Sequence, residues 1–227
     1  MKLGVAISCY NLVKDVALNI EIIRKMWDSH NKAYVVIYCN DPKSLSQIKE
    51  LDADEVIEGT NLPSNTKPRL RRRQVDCWQK GNKAASLKAD YVIHYHADAH
   101  ALKIQPIINI INEMEQFGYF FAGRGKGLDF KSPVKSTHGD IDDHFFISKA
   151  NIVSKSGLWD IEPSKMLHTI NSESFLAYSL QKTFDNKKIY HYSNMSENIV
   201  DEETVPVDMF YKDSICHRHM HPYNYDP

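Results

Sequence analysis

GNKAASLKADYVIHYHADAH, residues 81–100, runs from a helical stretch through the apolar run Tyr91–Tyr95 into an alternation of histidine and aspartate. Ahead of it the chain repeats one unit, a short apolar run followed by a segment with helical spacing. Leu3–Cys9 is nearly continuously apolar, the pattern of a strand covered on both faces. Asp15–Trp27 then sets Val16, Ile20, Ile23 and Trp27 one helical turn apart. Tyr34–Cys39 reads as a second buried strand closed by the turn signal Asn40, Asp41, Pro42. Ser44–Leu51 reads as a short helix, Glu55–Glu58 as a third strand, and 61–68, with Pro63 and Pro68, as a loop. Arg69–Lys88 is a long helical stretch, with Gly81 a candidate break, and it delivers the chain to the fourth strand at Tyr91. This alternation implies an α/β fold, a mostly parallel central sheet flanked by helices. Ligands of such sheets bind beyond the carboxyl ends of the strands, which here means Ser8 to Asn11, Asn40 and Asp41, and His96 to His100.

The second half is less regular. Pro106–Phe117 and Glu173–Gln181 read as helices and Phe145–Ile147 as a short strand. Gly123–Gly127 reads as a flexible loop, and from Ser214 on the chain is rich in His, Tyr and Pro. No repeat or low-complexity linker interrupts it, so 227 residues are expected to form a single domain. A net charge of -1 argues against a general nucleic-acid or membrane-surface role. No stretch of about 18 apolar residues suggests a membrane span. Cys9, Cys39, Cys77 and Cys216 are scattered without a CxxC pair, which suits reduced thiols and a cytoplasmic location.

Histidine is the unusual component. Six of the 11 histidines fall in two groups, at 94, 96 and 100 and at 217, 219 and 221. If the fourth strand continues, its period of two puts His94, His96, Asp98 and His100 on one face. Imidazoles converging with a carboxylate suit Mn, Zn or Fe better than a purely oxygen-loving ion. The plainer reading is polar strand-end residues hydrogen-bonded to loops.

The 81–100 stretch resembles the glycosyltransferase A-type (GT-A) fold of the nucleotide-diphospho-sugar transferases. There a helix, an Asp-Tyr pair and an apolar strand lead into an Asp-X-Asp motif that holds a divalent ion on the donor diphosphate. His96, Ala97 and Asp98 occupy the motif here, with His96 in place of the first acid. The resemblance implies a glycosyltransferase using a nucleoside-diphosphate sugar and a glycan or other hydroxyl acceptor. It makes 1–100 the donor half and 101–227 the acceptor half. The implied cofactor is Mn2+ or Mg2+, bound by Asp98 and His96 with a late histidine, His219, completing the site. The same alternation also nearly matches the His-X-His-X-Asp-His motif of the metallo-β-lactamase superfamily, which would make the chain a metal-dependent hydrolase using His94, His96, Asp98 and His100. Ala99 interrupts that motif, and the preceding strand–helix repeat does not suit that fold. A nucleotidyltransferase shares the nucleotide half, yet no Gly-rich triphosphate loop follows the first strand.

Other donor candidates follow from the same resemblance. Ser8, Tyr10 and Asn11 end the first strand, where Tyr10 could stack on a base, and Asn40 and Asp41 could meet base or ribose. Arg69, Arg71, Arg72 and Arg73 open the long helix, and Arg69 or Arg73, one turn apart, could grip a diphosphate. The plain alternatives are core packing for Tyr10, a simple turn at 40–42 and a solvated basic face for the arginines. Residues 171–180, NSESFLAYSL, resemble the helix bearing the acceptor-activating acid of inverting GT-A enzymes, with Glu173 on the acid position and Ser172 replacing its partner acid. Glu173 is then the candidate base, or alternatively a first-turn acid favoured by the helix dipole. Asp140, Asp142 and Asp143 could bind acceptor hydroxyls, and one of them, Asp143, is the second candidate base.

Overall fold

The computed structural model describes residues 1–27, 32–60, 67–126, 140–163, 170–194, 199–200, 207–211 and 215–218. Four strands, β1 (Leu3–Cys9), β2 (Tyr34–Cys39), β3 (Glu55–Glu58) and β4 (Tyr91–His96), run parallel. Beyond β4 come β6 (Phe121–Lys126), β7 (Asp140–Lys149) and β8 (Ile189–Asn194), giving the order β3-β2-β1-β4-β7-β6-β8. β7 is antiparallel to both its neighbours, so the sheet is mixed and mostly parallel. A second, four-stranded antiparallel sheet joins β5 (Ala99–Ala101) to β9 (Ile199–Val200), β10 (Val207–Tyr211) and β11 (Ile215–Arg218), in the order β5-β11-β10-β9.

Alternation along β1 sorts the two faces. Val5, Ile7 and Cys9 bury against α1 (Val13–Glu21) and α4 (Ile104–Phe117), whose Val16, Ile20, Ile107, Ile110 and Met114 fill one core. Ala6 faces Ala85 of α3 (Lys67–Ser86) on the other side. There Trp78 of α3 packs with Phe146 of β7 and with Phe175, Leu176 and Leu180 of α6 (Ser172–Thr183). The shorter α2 (Pro42–Lys49) and α5 (Ala150–Lys155) complete the flanking helices. Among the described residues no helix is long and apolar enough to cross a membrane.

Several expectations are corrected. Gly81 does not break α3, which runs unbroken through it over Ala6 and Tyr38. The helix expected over 15–27 is α1 followed by a π-helical turn, Ile22–Met26. Gly123 and Gly125 lie in a strand, where neighbouring side chains need the space. A Cβ at Gly125 would sit 2.3 Å from His191 Nδ1, and one at Gly123 3.0 Å from Ile141 Cγ2. The strand expected at 145–147 is the ten-residue β7.

Candidate functional site

A cavity of about 160 Å³ opens at the carboxyl ends of β1, β2 and β4. Its lining includes Ser8, Tyr10, Asn40, Arg73, His96, Ala97 and Asp98, seven of the ten donor-binding candidates. The parallel topology explains this, since each of these strands ends at the same edge, over the start of α3. Asn11 and Arg69 are exposed and do not line it, and Asp41 caps α2 by accepting from Lys43 N at 3.2 Å.

Arg73 dominates the cavity wall. Its guanidinium carbon lies 3.8 Å from the centroid of the Tyr10 ring, and the residue is buried. Its Nη1 is buried with no hydrogen-bond partner among the described residues. Asn40 donates through Nδ2 to Cys77 Sγ at 2.8 Å, and burial pushes the Cys77 thiol up to about 12. That thiol is therefore a neutral part of the wall. Of the other arginines, Arg72 is taken by Asp76 at 3.0 Å and by Glu162.

Beside the cavity lies a polar cluster that the sequence did not disclose as a unit. β4 pairs with β7 as far as Tyr95 opposite Phe145, and just beyond it the His96 and His144 rings stand 4.6 Å apart. The β6–β7 register shifts between Gly123 and Gly125, opposite this part of β7, and such bulges re-aim side chains at strand ends. One group of atoms within 4.8 Å of one another comes from His96, Asp143 and His144; a second comes from Asp142, Asp143, His144 and Glu173. Both candidate catalytic carboxylates, Glu173 and Asp143, are thus brought together. Glu173 sits on the first turn of α6, where Asn171 Nδ2 donates to its Oε2 at 2.8 Å.

A buried chain supports the cluster. Arg124 Nη2 lies 2.8 Å from Asp142 Oδ2, while Asp142 Oδ1 faces His144 Nδ1 at 2.6 Å. Burial raises the Asp142 carboxyl, but His144 and Arg124 outweigh it and hold the group well below the usual carboxylate range. Burial pulls His144 down, yet Asp142, Asp143 and Asp98 lift it to about 10. His144 and Arg124 were missed because only the pairing of β7 with β4 and β6 delivers them here. The run Asp142, Asp143, His144 was the available signal.

The four-residue alternation does not converge. β4 ends at His96, the chain turns at Ala97 and Asp98, and Asn19 Nδ2 of α1 holds Ala97 O at 2.8 Å. His94 points to α3, stacked 4.5 Å from Phe146 and bonded through Nδ1 to Asn82 at 3.0 Å. His100 lies on the opposite side, 2.8 Å from Asn19 Oδ1 and 3.8 Å from Asp15. The set proposed for a hydrolase is therefore split between two faces. Among the described residues Asp98 belongs to neither ligand group, although it lines the cavity and acts on His144. His219 and the side chain of Asp140 lie outside the described residues. Backbone pairing sets His217 opposite Ala99.

His94 has a pH consequence. Burial first, then the charges of His96 and His144, lower it well below its ordinary 6.5. Below pH 6.5 the unfolded chain binds a proton that the fold excludes. This part of the stability is complete above that pH and falls by about 1.4 kcal/mol per unit as pH drops towards the folded value. His94→Gln is expected to flatten the acid limb of a denaturant-stability profile, and an unaltered slope would contradict the assignment.

No protein-family model matches the chain and no curated protein matches it in sequence, so its reading rests on this geometry.

Proposed function

We propose that this chain is a GT-A-type glycosyltransferase that moves a sugar from a nucleoside diphosphate to an acceptor hydroxyl. Arg73 carries the reading. A buried guanidinium stacked on Tyr10, with Nη1 unbonded among the described residues, is costly until an anion completes it. Its place at the carboxyl ends of parallel strands supports a nucleotide as the bearer of that anion. The cavity, about 160 Å³, is smaller than the roughly 300–1,000 Å³ of sites for drug-sized ligands. It suits the diphosphate or the base, with the rest of the donor lying across its mouth towards His96 and Asp98.

Glu173 is the proposed base. It takes the acceptor hydroxyl's proton as that oxygen bonds to the anomeric carbon and the bond to the diphosphate breaks. Asn171 fixes the carboxylate for this role. Arg73 holds the departing diphosphate through charge-assisted hydrogen bonds. A divalent cation beside the donor would add positive charge where the leaving group builds negative charge.

A thermal-shift series with UDP, GDP and ADP tests the reading. At least one is expected to raise Tm, and Arg73→Ala to weaken it by about 10–100-fold, the loss of a hydrogen bond to a charged group. Arg69→Ala is expected to bind as the parent does. No stabilisation by any diphosphate, or equal losses in both variants, would overturn the reading.

A further inference from the structure

The strongest feature not absorbed by the donor cavity is the meeting of His96, Asp143 and His144. Asp143 is buried, and its Oδ2 has no hydrogen-bond partner among the described residues. Its Oδ1 stands 3.6 Å from His144 Nδ1. A carboxylate oxygen left bare in the interior is expensive, and a missing ion is one of the few things that relieves it. The surroundings sharpen the need. Carboxylates of Asp98, Asp142, Asp143 and Glu173 gather in or beside the cluster, against two cationic side chains, Arg124 and His144.

We infer that His96, Asp143 and His144 form a binding site for a divalent transition-metal ion. The set differs from one centred on the Asp98 motif. Two imidazoles and a carboxylate favour Zn2+ or Mn2+ over Mg2+ or Ca2+, which take oxygen ligands. The support behind the ligands is of the kind metal sites use. Asp142 occupies Nδ1 of His144 at 2.6 Å, which makes Nε2 the coordinating nitrogen, its proton released to solvent as the ion binds, and Arg124 fixes Asp142 in turn at 2.8 Å. One nitrogen of each imidazole and one carboxylate oxygen of Asp143 lie within 4.8 Å of one another, so side-chain rotation brings the three groups onto one ion. Because β4 supplies His96 and β7 supplies the other two, the ion ties the parallel half of the sheet to its antiparallel strand.

The test uses the full chain, stripped with a chelator and titrated with Zn2+, Mn2+ and Co2+ without nucleotide, so its outcome is independent of donor binding at Arg73. Readouts are metal per chain after desalting and the visible absorption of bound Co2+. Since His217, His219 and His221 could bind metal on their own, a variant with all three changed to Ala is measured in parallel. One equivalent is expected in the parent and in this tail variant, with the Co2+ spectrum retained. Asp143→Asn and His144→Gln, chosen to preserve volume, are expected to lose the stoichiometric ion. Asp142→Asn is expected to weaken it by about 10–100-fold. Loss of metal in the tail variant, retention in both Asp143→Asn and His144→Gln, or no retained metal in the parent would each overturn the inference.

Discussion

Asp142→Ala is expected to destabilise the protein by about 3–5 kcal/mol, because it strands the buried Arg124 guanidinium rather than deleting an exposed pair. The Arg124 and Asp142 side chains are 6% and 1% exposed, and Asp142 also holds His144. Removing the carboxylate leaves a buried guanidinium unpaired beside the partly exposed His144 imidazolium. Truncating both ends with apolar residues, as in Arg124→Met with Asp142→Leu, is expected to recover part of the loss, because desolvation is then avoided at both ends. Urea unfolding midpoints check this. A loss below about 1 kcal/mol, the range of an exposed ion pair, would show that the pair is not buried in solution.

The second large effect is at Trp78, fully buried on α3 and in ring contact with Trp159 at 5.9 Å and Phe175 at 6.1 Å. Trp78→Ala is expected to cost about 3–5 kcal/mol, the usual loss for an aromatic side chain removed from a core. The consequence reaches the site, because α3 carries Arg73 and α6 carries Glu173, and this ring cluster sets the distance between them. Trp78→Phe is expected to cost less, since it keeps an aromatic ring and removes an indole N–H unbonded among the described residues. Equal losses for Ala and Phe would argue that the polar group, not the packing, matters here.

The parallel half of the fold was legible because buried parallel strands are apolar on both faces. Leu3–Cys9 and Tyr34–Cys39 match β1 and β2 residue for residue, and the partly exposed edge strand β3 also falls on Glu55–Glu58. With these strands placed, the rule on their carboxyl ends located Ser8, Tyr10, Asn40 and His96 around one cavity. β6 was not legible. Its glycines look like a flexible loop until one sees that His191 and Ile141 occupy the space beside them. The alternation at 94–100 misled for a related reason. It assumed a strand continuing past His96, whereas Asn19 on a distant helix holds a turn at Ala97. The cluster of His96 with Asp143 and His144 depends on cross-sheet pairing over nearly fifty residues of chain, which no local pattern encodes.

The most direct measurement of the central claim is nucleoside-diphosphate release from a panel of UDP- and GDP-sugars, followed by mass spectrometry with Mn2+ present. Release from at least one donor is expected from the parent chain, falling by about tenfold or more at sub-saturating donor in Arg73→Ala and in Glu173→Gln when an acceptor hydroxyl is supplied. Release from Arg73→Ala at the parent's rate, or a parent chain that neither binds nor cleaves any donor, would contradict the assignment.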